Sequence, residues 1–545
     1  MARVLIFGID GATFDLVRPW AEQGKLPTLH RLMQEGAWGP LESTTPPMTS
    51  PAWPSFATGK YPGKHGVFDF VTARQGEFTV VNATTVDALT LWDILSAHGR
   101  HVGVMNVPVT YPPHAVNGFL ISGLLSPTTA QVTYPPDLLK PYESELGRYR
   151  VMPAVQHKAG NEETLIRSLE SLVDTRTRFA DRLMRDHPWD FMMVHFLATD
   201  LAQHALWRHM DPAHPQYEPD NPFKDAILCI YQRVDRAMGK LLSHADRDTT
   251  VFVMSDHGFG PLHGVVNLNL LFLQEGLLYL KRDPLTQLRA LLFRWGLTPG
   301  NVYDWLVRLN LQNITRRVSI STRNSVIGKF LSFDDVDWSR TTAYSMGHIG
   351  QIFVNLKGRE PHGIVERGVE YERARERVIE TLQTLTTPDG RPLLDRVIRK
   401  EEITAGRHAD EGPDLHLVMD GYRHISFPLF ATDGNLFSKQ IRGDSGCHRP
   451  HGILIACGPH VRPGVQVEDA RIVDLAPTTL HLMGHSIPGD MDGHVLTHML
   501  TPDFVEAHPV RVEATESCED QDALFLSKQE EAELRFRLKG LGYLG

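Results

Sequence analysis

Acidic and histidine side chains recur where apolar stretches of the chain give way to loops. Asp10 follows one such stretch, Asp200 follows another, and the adjacent pair Asp256 and His257 follows a third. His204 lies four positions after Asp200, so both side chains share one face if this segment turns helical after the strand. Asp256 and His257 are neighbours in sequence and point in different directions, which suits ligands shared between two adjacent ions.

Carboxylate oxygens and imidazole nitrogens in this mixture are ligands typical of Zn²⁺, with Mn²⁺ or Mg²⁺ as alternatives. A late histidine in the loop at 443–452 would complete the set. Two ions about 4 Å apart can activate a nucleophile and stabilise both oxygens of an in-line displacement at phosphorus. Taken singly, each acid is more often a helix N-cap or an ion-pair partner. Only the joint pattern predicts a dinuclear metal site.

A hydroxyl group suited to this chemistry lies in the proline-rich stretch PPMTSPAWPSFATGKYPGKHGVFDF at 46–70. Its prolines fix φ and argue against an early helix, so a short helix is expected to begin after Pro54. A rigid turn that leads into a helix N-terminus can present a nucleophile or an anion site. Threonine is a poor nucleophile unless a metal lowers its pKa, so Thr49 makes chemical sense only beside such an ion. A proline-rich surface loop is the alternative.

The overall composition is that of a soluble globular protein, with 42% hydrophobic and 22% charged residues in 545. A net charge of −10 argues against binding nucleic acid or an anionic membrane by bulk attraction. No apolar run approaches about 18 residues, so no membrane span is expected. The four cysteines show no paired spacing, and the N-terminal apolar run is too short for a signal peptide. A cytoplasmic enzyme is predicted.

Buried strands alternate with helices along most of the chain. Strands are expected at 3–9, 101–109, 189–200, 249–258, 414–419 and 451–459, and helices at 15–36, 89–98, 162–187, 222–244, 365–386 and 473–484. This alternation predicts an α/β fold with a doubly wound, mostly parallel sheet flanked by helices. Sites in such folds lie at the carboxyl ends of the strands, where the acids occur.

The pattern changes after residue 265, where segments rich in Leu, Phe and Trp have helical character. We therefore expect a catalytic core at 1–265 and 341–500, a helical insertion at 266–340 and a helical tail at 501–545. The insertion could be a cap that lines the site or contacts a partner. The alternative is an ordinary helical segment with neither role. For the tail, docking on the core is favoured over a role in partner binding.

The motifs together resemble the alkaline phosphatase superfamily, in particular its type I phosphodiesterase and nucleotide pyrophosphatase branch. T-S-P-A-W…TG-x-YP-x-x-HG is similar to the nucleophile segment of that family, which selects Thr49 among the neighbouring hydroxyls. G-x-H-R-P-x-G-I-L-I-A is similar to its late-histidine segment, which favours His448 over His451. NVPVTYPP, DHGFGP and NLKGREP resemble a subgroup of predicted phosphohydrolases and phosphomutases.

The resemblance implies which residues hold each metal ion. Carried over residue by residue, the first ion would be held by Asp10, Thr49, Asp256 and His257, and the second by Asp200, His204 and His448. The expected cofactors are therefore two divalent ions, with Zn²⁺ favoured.

One position departs from the family pattern. Phe70 stands where nucleotide pyrophosphatases carry an asparagine that contacts a phosphoryl oxygen. The missing contact is expected from Asn106, His263 or Arg449, or from backbone amides near Thr49. The departure weakens the case for a nucleotide substrate more than it weakens the case for the reaction type.

The sequence thus predicts a dinuclear metal-dependent phosphohydrolase that acts on a small phosphorylated substrate, with a phosphodiester favoured. Thr49 would attack phosphorus and form a phosphothreonine, which water then hydrolyses. A phosphomutase or phosphomonoesterase with the same metal site is the first alternative. A sulfatase fits less well, because the nucleophile position lacks the expected C/S-x-P-x-R context. The alternative of another class is a non-catalytic binding module that uses the insertion and the tail.

Overall fold

The computed structural model of the protein describes most of the chain. The described residues are 2–74, 77–127, 131–158, 160–298, 301, 331–426, 430, 434–438, 443–514 and 527–541.

The strands are numbered in chain order. They are β1 (Arg3–Ile9), β2 (Ala37–Glu42), β3 (Val71–Arg74), β4 (Glu77–Val80), β5 (Val102–Met105), β6 (Gly118–Ile121), β7 (Thr133–Tyr134), β8 (Phe191–Phe196), β9 (Thr249–Met254), β10 (Gly258–Pro261), β11 (Gly264–Val266), β12 (Ala343–Ser345), β13 (Gln351–Val354), β14 (Leu394–Arg399), β15 (Leu415–Met419), β16 (His424–Ser426), β17 (Phe437–Ser438), β18 (Gly446–Arg449), β19 (His451–Cys457), β20 (Ala470–Arg471), β21 (Ile487–Pro488) and β22 (Val512–Glu513).

The helices are numbered in the same way. They are α1 (Phe14–Glu22), α2 (Pro27–Glu35), α3 (Thr49–Thr58), α4 (Pro62–His65), α5 (Leu91–Ala97), α6 (Lys140–Leu146), α7 (Glu162–Asp186), α8 (Ala198–Met210), α9 (Ala226–Leu241), α10 (Leu268–Gln274), α11 (Pro284–Arg294), α12 (Val369–Gln383), α13 (Lys400–Ile403), α14 (Leu475–Leu482), α15 (Pro502–Ala507) and α16 (Lys528–Leu541). Short 3₁₀ turns occupy Ala83–Thr85, Leu242–His244, Phe333–Asp335, Ala409–Glu411, Asp420–Tyr422, Ile472–Asp474 and Thr497–Met499. Among the described helices, none has the length and apolar character needed to cross a bilayer.

A nine-stranded sheet forms the centre of the fold, in the order β20-β2-β19-β9-β1-β8-β5-β6-β7. β1 pairs in parallel with both β8 and β9, and β5 pairs in parallel with β8 and β6. β19 runs antiparallel between β9 and β2, and β7 runs antiparallel at one edge. The prediction of a mostly parallel α/β sheet flanked by helices is therefore confirmed.

Alternate residues of β1 face two different hydrophobic cores. Phe7 and Ile9 pack with α1, α2, α7, α8 and α9 on one face, whereas Val4 and Ile6 pack with α3, α5 and α14 on the other. Helices on both faces bury the strands completely, which explains why β1, β8 and β9 read as continuous apolar runs. The helical pattern at 15–36 is split into α1 and α2, and Gly24 lies between them with a φ of 73°.

A second sheet lies in the region after residue 265. β12, β13, β15 and β14 form a four-stranded antiparallel sheet whose core includes Leu268 and Phe272 of α10 together with Tyr344 and Leu417. This core draws residues from both sides of position 340, so that position does not separate two cores. The division into 1–265 with 341–500, 266–340 and 501–545 stays a prediction. Much of the helical insertion expected at 266–340 lies outside the described residues, at 299, 300 and 302–330.

The C-terminal helix α16 contacts the rest of the chain. Leu534 and Leu538 are buried in a cluster that also contains Val67 and Phe70. The hydroxyl of Tyr111 donates to Glu530 Oε1 at 2.8 Å. These contacts place the helix against the segment that follows α3.

Candidate active site

The carboxyl ends of β1 and β9 bring three predicted ligands together. Because these strands are neighbours in the sheet, Asp10 and Asp256 emerge side by side, and His257 follows. His257 Nε2 lies 3.2 Å from Asp256 Oδ2 and 3.7 Å from Asp10 Oδ1. The three residues offer ligand atoms within 4.8 Å of one another, and all three are buried. We call this group the first cluster.

The second cluster consists of Asp200, His204 and His448, whose ligand atoms also lie within 4.8 Å of one another. Helix α8 begins directly after β8, so Asp200 and His204 share one face as their spacing predicts. Asp200 Oδ1 lies 3.5 Å from His204 Nε2 and 3.4 Å from His448 Nε2. His448 is buried on β18, whereas its competitor His451 is exposed at the start of β19.

The two clusters adjoin each other, and the predicted nucleophile contacts one of them. The rings of His257 and His448 stack with their centroids 3.6 Å apart. Thr49 Oγ1 lies 3.1 Å from His257 Nε2, and the threonine is buried. All seven residues predicted as metal ligands or nucleophile therefore lie in one continuous constellation.

Helix α3 positions Thr49, although its predicted start after Pro54 is wrong. The helix begins at Thr49 itself, and Ala52 N donates to Met48 O at 3.0 Å to close its first turn. Pro51 is tolerated because N–H groups of the first turn have no acceptor within a helix. Pro54 lies deeper and removes one backbone bond, yet α3 is buried along its whole length, so packing outweighs that loss.

The histidine tautomers indicate that the ε-nitrogens act as ligands. Nδ1 of His204, His257 and His448 lies 3.0, 3.1 and 2.9 Å from the carbonyl oxygens of Gly446, Gly258 and Pro47. Each Nδ1 must donate to its carbonyl, which leaves a lone pair on Nε2. The Nε2 atoms of His204 and His448 are only 2.9 Å apart. Two facing lone pairs repel each other unless a cation lies between them, so the second cluster fits a metal ion.

The carboxylates of the two clusters also indicate that a cation is needed. Asp10 Oδ1, Asp200 Oδ1 and Asp256 Oδ2 are buried and accept no hydrogen bond among the described residues. A buried carboxylate oxygen without a donor is costly, because it has lost water and gained no partner. A divalent cation would satisfy these oxygens together with the histidine nitrogens, so the donor set fits N/O-ligated metal ions in both clusters.

Burial and mutual repulsion also perturb the carboxyl groups. Burial, followed by the charges of Asp256 and Asp200, raises the pKa of Asp10 well above its usual range. Burial and the charge of Asp200 raise the pKa of Asp256 to about 8. Burial also acts to raise the pKa of Asp200, but His204 and His448 outweigh it and lower that pKa to about 2. The constellation thus contains more negative charge than its neighbours balance, which favours cations.

His195 is a supporting residue that the sequence does not reveal. It lies on β8 opposite Gly8, and its Nε2 lies 2.8 Å from Asp10 Oδ2. Burial lowers the pKa of His195 well below its usual value, so the neutral ring donates this bond. Trp53 Nε1 also donates to Asp10 Oδ2, at 3.3 Å. These two donors fix Asp10 Oδ2, and Asp10 Oδ1 is thereby directed toward the first cluster. In sequence, the only signal is a histidine within the apolar strand FMMVHF.

Replacing His195 by phenylalanine should weaken metal binding to the first cluster by about 10- to 100-fold. The ring would still pack on Trp53, but Asp10 would lose a donor that orients it. His195→Gln keeps a donor and should recover part of the affinity. Titration of the chelator-stripped protein with Zn²⁺ measures the change, with His416→Phe, a buried histidine of the four-stranded sheet, as control. Equal affinity of His195→Phe and the unaltered protein would contradict this role.

The three residues predicted to bind substrate have other contacts. Asn106 Nδ2 donates to Ser122 O at 3.0 Å, and Asn106 Oδ1 accepts from the hydroxyl of Tyr149. Arg449 donates to the carbonyl oxygens of residues including Tyr422 and Pro261.

His263 lies among other histidine rings, 5.9 Å from that of His214 and 6.2 Å from that of His424 between ring centroids. Arg449 Nη1 donates to His448 O at 2.9 Å, a contact with the backbone of the second cluster. Among the described residues, Asn106 and His263 show no contact with the ligand atoms of either cluster. Their role in substrate binding stays a prediction.

Phe70 is fully buried with Val67 and Val80, and so it supplies packing where the family pattern has an amide. The preceding residue, Asp69, is buried as well and accepts from Phe70 N at 2.6 Å and from Gln351 Nε2 at 3.1 Å. Burial raises the pKa of Asp69 from 3.8 to about 7.

Asp69→Asn should stabilise the protein increasingly as pH rises. The native carboxyl keeps its proton up to about pH 7, whereas the unfolded chain releases it near 3.8. The stabilisation due to the proton is complete below the unfolded pKa and is lost as pH rises through the folded pKa. Asparagine stays neutral, so the variant should gain about 2–4 kcal/mol relative to the unaltered protein at about pH 8.

Thermal-unfolding midpoints of both proteins at about pH 5 and about pH 8 measure this effect. Asp503→Asn, at an exposed carboxylate, is the control. A midpoint difference that stays constant with pH would contradict the argument.

Comparison with known proteins places the chain in a family. The family model for type I phosphodiesterase / nucleotide pyrophosphatase matches residues 4–427. A search of curated proteins by sequence found no match. The structure is similar to murine ectonucleotide pyrophosphatase / phosphodiesterase 5, an inactive form in complex with AMP, at 14% identity and a TM-score of 0.50, covering 92% of this chain and 100% of that chain.

It is also similar to phosphonoacetate hydrolase from Sinorhizobium meliloti 1021 in complex with phosphonoformate, at 15% identity and a TM-score of 0.53, covering 87% of this chain and 94% of that chain. At these identities the structural likeness supports the fold alone, and the family match carries the assignment. Because that match spans more than three-quarters of its length, the chain belongs to the type I phosphodiesterase / nucleotide pyrophosphatase family, a branch of the alkaline phosphatase superfamily.

Proposed function

We propose that this metal-dependent phosphoryl hydrolase is a dinuclear phosphodiesterase that forms a phosphothreonine on Thr49. The observation that carries the proposal is the 3.1 Å approach of Thr49 Oγ1 to His257 Nε2, at the junction of two buried ligand clusters. A non-catalytic module would not need buried carboxylate oxygens that lack donors. The binding-module alternative is therefore disfavoured.

Asp10, Asp256 and His257 would hold one divalent ion beside Thr49, and Asp200, His204 and His448 would hold the other. Such ions supply Lewis-acid stabilisation of the attacking and leaving oxygens. Three neutral imidazoles and three carboxylates favour Zn²⁺, with Mn²⁺ or Mg²⁺ as alternatives.

The residues of the chain have distinct tasks in this proposal. Thr49 Oγ attacks phosphorus and releases its proton to solvent, a new P–O bond forms, and the P–O bond to the leaving group breaks. The departing oxygen takes a proton from solvent and leaves as the alcohol. The N–H groups of Thr49 and Ser50, in the first turn of α3, have no helical acceptors and can donate to phosphoryl oxygens. Water then hydrolyses the phosphothreonine. Inversion in each of the two steps gives net retention at phosphorus.

The substrate is proposed to be a small phosphodiester. The murine relative is in complex with AMP, and the bacterial relative is in complex with phosphonoformate. Both ligands are small phosphorus-containing anions. Phosphomonoesterase and phosphomutase activities use the same metal site and remain the alternatives. The cytoplasmic location predicted from the cysteine pattern belongs to this proposal, and Cys229, Cys447 and Cys457 are unpaired.

Acid quenching during turnover of bis(p-nitrophenyl) phosphate tests the proposal. Mass spectrometry should find phosphate on the peptide that contains Thr49, and this adduct should be absent from the Thr49→Ala variant. Parallel assays with p-nitrophenyl phosphate and with a phosphosugar separate diesterase, monoesterase and mutase activity. Rapid turnover without any adduct on Thr49 would contradict the covalent route.

A further inference from the structure

Helix α11 has a second apolar face that points away from the protein. Its inner face packs through Thr286 and Phe293. Its outer face carries Leu285, Leu288 and Leu291, which are 56%, 51% and 41% exposed. At 3.6 residues per turn, these leucines and Trp295 fall on roughly a third of the helix circumference.

Trp295 is the most exposed large apolar residue among those described, at 72%, and it lies directly after the end of α11. Tryptophan is enriched at membrane–water interfaces, where its ring lies at the level of the lipid head groups. An apolar stripe of three leucines that ends in a tryptophan is unusual for a surface in contact only with water.

Basic residues flank this stripe. The segment 281–298 contains four basic residues and a single acid, Asp283, in a chain whose net charge is −10. Asp283 accepts from Thr286 N as the N-cap of α11, and Asp335 accepts from Arg289 Nη1 at 2.8 Å.

Arg282 and Arg294 are exposed, with no acidic partner among the described residues. The basic character of the sequence extends beyond this segment: residues 281–330 include nine basic and two acidic residues, a net charge of +7.

We propose that the outer face of α11 docks on an anionic lipid bilayer, with Leu285, Leu288, Leu291 and Trp295 in the interface and the arginines at the head groups. An interfacial helix of this kind combines apolar burial with attraction to anionic lipid. The negative charges elsewhere on the chain oppose docking only weakly, because the Debye length is about 10 Å at 0.1 M salt.

Two other occupants fit the face less well. A nucleic acid would use the arginines but would leave the leucine stripe in water. A symmetric dimer would bury the leucines, but it would also bring Arg282 and Arg294 of one copy close to the same two arginines of the other copy. An anionic bilayer would bury the leucine stripe and attract the arginines.

Vesicle flotation tests the proposal on the full chain. The protein should float with vesicles of phosphatidylcholine and phosphatidylglycerol, bind phosphatidylcholine vesicles much more weakly, and be released by high salt. The double variant Leu288→Gln with Trp295→Gln should bind the anionic vesicles roughly tenfold or more weakly, because two large side chains no longer enter the interface. Arg282→Gln with Arg294→Gln should reduce the preference for anionic lipid.

Val369→Gln, at a valine that is 68% exposed on another helix, is the matched control and should bind vesicles normally. Unchanged phosphodiesterase activity and thermal-unfolding midpoints in all variants exclude misfolding. Absence of vesicle binding, or equal binding by the Leu288 and Trp295 variant, would overturn the proposal. So would a dimer that this variant dissociates without any vesicle binding. The proposal is independent of the phosphodiesterase assignment, because flotation needs no turnover.

Discussion

Thr49→Ala should lower the rate of phosphodiester hydrolysis by about a thousandfold or more, while both metal ions remain bound. The side chain of Thr49 is the hydroxyl placed against the first cluster, and alanine offers no atom that can form a bond to phosphorus. The cluster residues Asp10, Asp256 and His257 still provide three protein ligands without it. The measurements are kcat/KM with bis(p-nitrophenyl) phosphate and metal content per chain by mass spectrometry.

Thr45→Ala is the matched control, since it removes the same side-chain atoms four residues earlier, directly before the proline-rich stretch. It should retain activity. Thr49→Ser keeps a hydroxyl and should recover much of the rate. If Thr49→Ala hydrolysed the diester as fast as Thr45→Ala, the nucleophile would have to be another group, and a water molecule would be the first candidate.

Asp200→Asn should remove one metal ion per chain and lower hydrolysis by at least about a hundredfold. Asp200 Oδ1 is the only anionic ligand atom of the second cluster, and it lies within 3.5 Å of both histidine ε-nitrogens. Asparagine has the same shape but a neutral oxygen, which binds divalent ions more weakly. The first cluster contains its own carboxylates and should keep its ion.

Asp211→Asn provides a control at the end of the same helix, where the carboxylate accepts from Trp207 Nε1. This variant should keep two ions and full activity. His204→Gln should reproduce the loss seen with Asp200→Asn. Loss of both ions when Asp200 is changed would show that the two clusters do not bind metal independently. Loss of neither ion would show that Asp200 is not an essential ligand.

Much of the metal constellation follows from local sequence patterns. Asp10 and Asp256 end apolar runs, and parallel strands buried on both faces have their carboxyl ends at one edge of the sheet. The i, i+4 spacing of Asp200 and His204 needs only that α8 begin directly after β8, as it does. These inferences depend on periodicities of two and 3.6 residues, which a sequence shows directly.

Other features depend on contacts between distant parts of the chain. His195 supports Asp10 across 185 positions, and no local pattern separates it from an ordinary core histidine. The early start of α3 depends on burial of the whole helix, which outweighs the proline penalty. The choice of His448 over His451 needed the family resemblance, because the sequence places both in one predicted loop at 443–452. Only the structure shows that His448 is buried on β18 and that His451 is exposed at the start of β19.

The most direct test of the central claim is an anomalous diffraction measurement on crystals of the Zn²⁺-loaded protein. The account predicts two peaks, one within ligand distance of Asp10, Asp256 and His257 and the other within ligand distance of Asp200, His204 and His448. Thr49 Oγ should adjoin the first peak. A single peak, or two peaks away from these residues, would contradict the account.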